Sequence, residues 1–320
     1  MRTSITIEVE LLSVYRVKSL NQTHKLSTPG EGQKARAGVV RVTIMINVPR
    51  IPLNDGNWLS AVGFGTWMMN DEQVRSAVVE SAQLGYRLFD TAARYHNEAG
   101  VGQGIVNSGL PREDIQVTSK VRGGDQGYEE TLRAFEATRR NLGLEYVDCY
   151  LIHWPLPRLD LYVETWKALI HLRETGAVRS IGVSNFSTEQ IDRLISETGV
   201  APAVNQIELH PMFGQPQLRA DNAERGVVTQ SWGPLGRGEG MLEAEPLAAA
   251  AAAQGVAPAQ VALRWIYQLG AYPIPKSGDQ VRRQQNLDIF DFELTETEMA
   301  AIATLESGRL GKDPAVDEEF

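Results

Sequence analysis

Residues that can exchange protons recur at the ends of short apolar segments. Asp90 ends YRLFD, Tyr95 follows it by five residues, Lys120 ends DIQVTSK, and His153 ends YVDCYLIH. A tyrosine with an unperturbed pKa near 10 is a weak acid at neutral pH, but an adjacent ammonium group favours the tyrosinate. Asp90 would keep Lys120 charged and fixed, and His153 would orient a substrate oxygen. The four residues together predict proton delivery to a carbonyl oxygen.

The group that attacks the carbonyl carbon is not supplied by a side chain of obvious nucleophilic type. No nucleophilic serine motif is present, and the single cysteine, Cys149, falls in the middle of a predicted strand. We therefore expect the attacking group to be a hydride from a bound cofactor.

Alternating strand and helix signals from about residue 50 onward predict the elements that position these residues. Asn54-Asp55-Gly56 lies between apolar positions and indicates a β-hairpin. Eight apolar or β-branched segments follow, and between them lie segments with helical periodicity, such as 129–142 and 188–198, the latter after the possible N-cap Ser187. A doubly wound sheet gives the same alternation of strands and helices. Two features favour an α/β protein of the (β/α)8 TIM barrel class: the number of predicted strands is eight, and no G-x-G-x-x-G motif follows the first strand. The hairpin would close its bottom.

Further polar residues occur at the ends of the later strands. In such a barrel the active site lies at the C-terminal ends of the strands, so residues far apart in sequence converge on one mouth. Besides Asp90, Lys120 and His153, the predicted strand ends carry Ser184, Asn185, Gln206, Trp232, Lys276 and Ser277. Glycines 100, 102 and 104 would instead allow close packing of the second helix.

Composition excludes several classes of function. The chain has 320 residues and a formal net charge of −9, which argues against binding to nucleic acid or an anionic membrane. No apolar segment approaches the roughly 20 residues of a membrane-spanning helix. The lone cysteine gives no support for an oxidising compartment, and the histidines show no metal-ligand spacing. We expect a cytoplasmic monomer without a metal.

Residues 1–44 differ from the remainder. They carry seven Lys or Arg and three Glu, so their net charge is +4, which leaves −13 for the rest. A transit peptide is an alternative, but we interpret them as a disordered extension, or as the result of a start placed too early, with Met45 as the functional start. Residues 45–320 would form a single barrel domain.

Six motifs resemble those of the aldo-keto reductase family in order and spacing, over residues 47–310. They are GYRLFDTAARYHNEAGVG, TSK, LIHWP, GVSNF, SWGPLG and IPKS…R…QN. With tryptophan in SWGPLG, the chain is most similar to the bacterial 2,5-diketo-D-gluconate reductase branch.

The resemblance implies roles for individual residues. Asp90, Tyr95, Lys120 and His153 would form a catalytic tetrad, and Trp67 and Trp154 would line an apolar substrate pocket. NADPH/NADP+ would be the cofactor, and its binding residues would be Ser184, Asn185, Gln206, Trp232, Gly233, Leu235, Gly236, Lys276, Ser277, Arg282, Gln285 and Asn286. Lys276, Ser277 and Arg282 would hold the 2′-phosphate. Gly278 departs from the usual valine or alanine, which predicts a looser phosphate loop.

We therefore expect an NADPH-dependent oxidoreductase that reduces a small-molecule aldehyde or ketone to an alcohol, with Tyr95 as general acid. An alternative is an NADPH-binding regulatory module on the same fold with little turnover. Alcohol oxidation and, more remotely, barrel-based hydrolysis are further alternatives. The physiological substrate does not follow from the sequence.

Overall fold

The computed structural model describes residues 48–317, so the interpretations of residues 1–44 lie outside the described part of the chain. Strands and helices alternate along these residues. The strands are β1 (Arg50–Pro52), β2 (Trp58–Ser60), β3 (Phe64–Gly65), β4 (Leu88–Asp90), β5 (Gln116–Val121), β6 (Val147–Ile152), β7 (Val178–Ser184), β8 (Val204–Glu208), β9 (Val228–Trp232) and β10 (Tyr272–Pro273). The helices are α1 (Asp71–Leu84), α2 (Glu98–Asn107), α3 (Tyr128–Leu142), α4 (Tyr162–Glu174), α5 (Thr188–Thr198), α6 (Pro216–Glu224), α7 (Glu245–Gln254), α8 (Pro258–Gln268), α9 (Gln280–Leu287) and α10 (Glu296–Ala303).

Strands β3 to β10 form one parallel sheet in which every strand neighbours the next along the chain. Two backbone hydrogen bonds join its first and last segments, from Gly63 N to Pro273 O (3.1 Å) and from Gly65 N to Pro275 O (3.0 Å). The predicted (β/α)8 barrel is therefore confirmed. Gly63 leaves room for the apolar side chains inside the barrel at this closure, because a Cβ on it would lie 2.6 Å from Ile274 Cδ1 and that side chain would have to shift.

The hairpin of β1 and β2 closes the bottom of the barrel, as predicted. Its antiparallel strands are joined through a turn in which Gly56 has φ of 87°. Ser60 N donates to the side chain of Gln116, the first residue of β5, at 2.9 Å. Asn57 Nδ2 donates to Arg179 O, near the start of β7, at 3.1 Å. These bonds tie the hairpin to the N-terminal ends of the strands, opposite the mouth.

Apolar packing fills both sides of the strands. One buried cluster joins the hairpin to strand residues inside the barrel: Leu53, Leu59, Leu88, Cys149, Leu151, Ala203, Val204 and Ile274. Larger clusters lie between strands and helices. Each fully buried leucine, isoleucine or valine side chain contributes about 1.5–3 kcal/mol to stability. The strands are thereby held rigidly, which fixes where their C-terminal ends lie.

The helices that were predicted from periodicity are present. The segment 129–142 lies within α3, and 188–198 is α5, where the Ser187 hydroxyl accepts a hydrogen bond from Gln190 N as an N-cap. In α2 a Cβ on Gly102 would lie 1.9 Å from Leu142 O, and one on Gly100 would lie 2.4 Å from Asp71 O. These glycines therefore serve close packing of α2 against α1 and α3, as expected.

Two strand ends differ from the predicted positions. β8 continues to Glu208, two residues beyond Gln206, and β10 ends at Pro273, before Lys276. Proline has no N–H, so Pro273 and Pro275 cannot donate to a neighbouring strand, which explains the early end of β10.

Within residues 48–317, no single helix has the length and apolar character needed to cross a membrane. By length and composition alone, α7 and α8 meet the requirement only as a pair, and they are bent by 95° relative to each other.

Candidate active site

A buried ion pair lies at the C-terminal ends of β4 and β5. Lys120 Nζ donates to Asp90 Oδ1 at 2.5 Å and to Thr91 O at 3.0 Å, and the lysine side chain is fully buried. An ammonium group away from water is costly unless it is paired and hydrogen-bonded. Asp90 and Thr91 supply these partners, so the Lys120 ammonium group is hydrogen-bonded at a fixed position.

Tyr95 and His153 lie beside this pair. Lys120 Nζ is 5.3 Å from the centroid of the Tyr95 ring, and the Tyr95 and His153 rings meet edge to face with centroids 5.7 Å apart. Tyr95 ends a single 3₁₀ turn (Ala93–Tyr95) that follows β4, and it is half-buried. The structure therefore brings the four predicted catalytic residues together.

His153 is uncharged at neutral pH. Burial lowers the pKa of His153 well below its usual range, and the positive charges of Lys120 and Arg94 lower it further. Its Nδ1 is buried and has no hydrogen-bond partner within the described residues. A neutral imidazole can donate one hydrogen bond to a substrate oxygen without competing for the proton.

A hydrogen-bonded network connects this group to the ends of β7, β8 and β9. Gln206 Nε2 donates to Asp90 Oδ2 at 2.8 Å, and Ser184 Oγ donates to Gln206 O at 2.8 Å. Asn185, whose φ is 66°, donates through Nδ2 to His153 O at 3.1 Å. Its Oδ1 accepts from Trp232 Nε1 at 2.8 Å. The amides and the indole are thus oriented before any ligand arrives.

The loop after β9 contains the next predicted cofactor residues. Gly233 and Gly236 have φ of 62° and 67°, a backbone conformation that residues other than glycine rarely adopt. Leu235 between them is half-buried and packs against the apolar clusters. The guanidinium of Arg237 lies 4.9 Å from the centre of the Trp67 ring, so this loop reaches across to the segment after β3.

The remaining predicted cofactor residues form a second group on the loop after β10 and on α9. Lys276 and Arg282 are exposed, Ser277 and Gln285 are half-buried, and Asn286 is buried. A Cβ on Gly65 would lie 3.6 Å from Lys276 Cβ, and Gly65 is the register partner of Asp90. The loop therefore adjoins the mouth through β3.

The two tryptophans that were assigned to a substrate pocket differ in exposure. The Trp67 side chain is 46% exposed and Trp154 is buried. Trp154 follows His153 directly, and its carbonyl accepts a hydrogen bond from Gln126 Nε2 at 2.7 Å. Trp67 thus offers an accessible apolar surface, whereas Trp154 is part of a packed wall.

Sequence reasoning missed Asn97. Its Nδ2 donates to Thr66 O and Met69 O, both at 2.9 Å, and its Oδ1 accepts from Thr91 Oγ1 at 2.8 Å. These hydrogen bonds connect the segment after β3 to the segment after β4, and the segment after β4 carries Tyr95. The sequence feature that could have revealed Asn97 is its place just before a helix, where asparagine side chains often form hydrogen bonds with the backbone.

Glu208 was also missed. Its buried carboxylate accepts hydrogen bonds from His210 Nε2 (3.1 Å), Leu310 N (2.8 Å), Gly311 N (2.8 Å) and Arg309 (3.2 Å). Burial alone would raise the pKa of Glu208, but the hydrogen bonds from His210, Leu310 N and Gly311 N lower it below its usual value. The signal was a carboxylate inside the apolar strand segment AVNQIEL, where it requires partners.

Other reactive groups lie outside this site. Burial raises the pKa of the Cys149 thiol, and nearby carboxylates raise it further, so Cys149 is not a nucleophile at neutral pH. No group of three metal-ligating side chains occurs in the part of the chain that the structure describes.

Comparison with known proteins identifies the family. The profile of the aldo/keto reductase family matches residues 61–307, and the chain belongs to this family. An aldo-keto reductase of Mycolicibacterium smegmatis is 51% identical, with 83% of this chain and 97% of that protein covered. 2,5-diketo-D-gluconic acid reductase B of Corynebacterium sp. is 45% identical, with 86% and 100% covered. The crystal structure of a Gox0644 mutant in complex with NADPH matches with a TM-score of 0.81 and 42% identity, covering 85% of this chain and 99% of that one.

Proposed function

We propose that this protein reduces an aldehyde or ketone to the corresponding alcohol with NADPH, and that Tyr95 is the general acid. The observation that carries the proposal is the buried Lys120–Asp90 pair beside the Tyr95 ring, with the neutral His153 ring meeting the Tyr95 ring edge to face. Such a set suits proton delivery to a carbonyl oxygen.

The residues around the mouth fit a dinucleotide that carries an extra phosphate. An amide and hydroxyl network at Ser184, Asn185 and Gln206 suits a carboxamide, and the oriented Trp232 ring suits stacking on a flat heterocycle. Lys276 and Arg282 supply exposed cations for the 2′-phosphate, Arg282 as a planar fork. The loop with Gly233, Leu235 and Gly236 would cover the pyrophosphate, and Gln285 and Asn286 would contact the adenine. NADPH supplies a hydride when bound.

The chain's own contribution is proton transfer and orientation. Tyr95 would donate its phenolic proton to the carbonyl oxygen, and the Lys120 ammonium would stabilise the tyrosinate that remains. Asp90 pairs with Lys120 and fixes its position. His153, being neutral, would donate a hydrogen bond to the same oxygen and so fix its position. Trp67 would contact the apolar part of the substrate.

The substrate class is proposed as small carbonyl compounds. Two similar proteins carry the names 2,5-diketo-D-gluconic acid reductase B and methylglyoxal reductase. A cytoplasmic monomer remains an expectation from the sequence alone.

The test is NADPH oxidation with diketogluconate, methylglyoxal, simple aldehydes and keto-esters, each repeated with NADH. We expect turnover with at least one class of carbonyl and a clear preference for NADPH. Binding of NADPH without turnover on any of them would favour the regulatory alternative. A preference for NADH would overturn the roles of Lys276 and Arg282.

A further inference from the structure

Arg283 on α9 is a buried arginine next to the proposed phosphate loop. Its side chain is 2% exposed, whereas the preceding Arg282 is exposed. A guanidinium group removed from water costs free energy unless charged and polar partners compensate. The two consecutive arginines therefore lie in different environments, and the partners of Arg283 bear on its role.

The guanidinium of Arg283 connects α1 to the phosphate loop. Nη2 pairs with the carboxylate of Glu80 on α1. Nη1 donates to Gly278 O at 3.0 Å and to Ser277 O at 3.2 Å. The backbone carbonyl of Arg283 accepts a hydrogen bond from the buried hydroxyl of Tyr86, just after α1, at 2.9 Å. One side chain thus holds two successive carbonyls of the loop.

Packing against α1 does not explain the position of this loop. A cavity of about 240 Å³ lies between them, and its walls include Gln73, Ser76 and Glu80 from α1 and Lys276 and Gly278 from the loop. Gly278 is exposed, and a Cβ built on it would meet no atom within 4 Å. The Arg283–Glu80 pair lies at this cavity and bridges the two sides by polar contacts.

We propose that Arg283 is a positioning residue that sets the preference for a 2′-phosphorylated cofactor. Through the carbonyls of Ser277 and Gly278 it holds the Lys276–Ser277 segment in the geometry that receives the phosphate. Glu80 neutralises the charge of Arg283, so the contribution is geometric rather than a direct attraction of the anion. These hydrogen bonds would offset the greater freedom of the phosphate loop that Gly278 predicts. This inference rests on the proposed use of NADPH.

The experiment measures dissociation constants of NADPH and NADH by quenching of tryptophan fluorescence. Arg283→Met keeps the apolar stem and removes every N–H donor. We expect the Kd of NADPH to rise about tenfold, as for the loss of one charge-assisted hydrogen bond, while the Kd of NADH changes less than about twofold. Arg133→Met, at an exposed position on α3, is the matched control and should leave both constants unchanged.

Two further variants separate positioning from general damage. Arg283→Lys keeps the charge but loses the planar guanidinium with its several donors. Its NADPH affinity should therefore lie between those of the unmodified protein and Arg283→Met. Glu80→Gln should weaken NADPH binding when Arg283 is present and have no added effect in the Arg283→Met background. If Arg283→Met fails to fold, Arg283→Lys and Glu80→Gln carry the test.

An unchanged ratio of the two dissociation constants in folded Arg283 variants would overturn the inference. Equal loss of affinity for NADPH and NADH would overturn it as well, because that result indicates general disruption. If the unmodified protein binds neither cofactor, the proposed function itself fails, which is a separate outcome.

Discussion

Gln206 Nε2 donates a hydrogen bond to Asp90 Oδ2 at 2.8 Å, while Asp90 Oδ1 accepts from Lys120. One carboxylate thus joins the predicted proton-transfer group to the predicted nicotinamide-binding group. Because both groups depend on the position of Asp90, a change at Asp90 should alter catalysis and stability together.

The first prediction concerns Asp90→Asn. Removing the negative charge of Asp90 leaves the buried Lys120 without its ion-pair partner. The free energy of unfolding should therefore fall by roughly 3–5 kcal/mol. Turnover should fall about 10²-fold, since a lysine without its anion is a weaker support for the tyrosinate. Denaturant unfolding and steady-state NADPH oxidation measure the two effects. A variant with unchanged turnover would show that the pair is structural only.

The second prediction concerns Glu208 and the C-terminal segment at residues 309–311. A Cβ on Gly311 would lie 2.5 Å from Trp232 Cη2, so this segment packs directly on the proposed nicotinamide-stacking ring. Glu208→Gln turns one acceptor oxygen into a donor that faces N–H groups, which should displace the segment. We expect the KM for the carbonyl substrate to change more than about threefold.

The control for this prediction is Glu296→Gln, at an exposed position on α10, which should leave KM unchanged. Limited proteolysis of the C-terminal segment provides a second measurement, and cleavage should be faster in Glu208→Gln. Identical KM and cleavage rates in Glu208→Gln and the unmodified protein would contradict the assigned role.

The third prediction concerns pH. The pKa of His153 is lowered in the folded protein, so the unfolded chain binds more protons between that lowered value and about 6.5. The contribution of His153 to stability should therefore be lost progressively as pH falls below about 6.5. Denaturant unfolding from pH 8 to pH 5 should show a smaller pH dependence for His153→Gln than for the unmodified protein. Parallel curves for the two proteins would contradict the buried, neutral imidazole.

The barrel and the grouping of Asp90, Lys120 and His153 at its mouth were predictable because both depend on local signals. Apolar segments of strand length that end in Asp90, Lys120 or His153 indicate buried strands with polar C-terminal ends, and barrel geometry then brings those ends together. The packing role of the glycines in α2 also followed from the small size of these residues at the start of a predicted helix.

The supporting contacts were not predictable in the same way. Arg283 and Glu80 are 203 residues apart, and Arg309 and Glu208 are 101 apart. Arg282 and Arg283 are adjacent on one helix, so only the direction in which α9 packs decides which of them is buried. β10 ends earlier than the apolar pattern predicts, because Pro273 and Pro275 have no backbone N–H to donate to a neighbouring strand.

The central claim is that Tyr95 donates the proton. Tyr95→Phe removes only the hydroxyl and keeps the ring that contacts Lys120 and His153, so NADPH affinity should stay within about twofold. NADPH oxidation by this variant, with the best carbonyl found for the unmodified protein, is the most direct measurement. We predict a loss of turnover of about 10²–10⁴-fold, the usual contribution of general acid catalysis. Turnover equal to that of the unmodified protein would contradict the account.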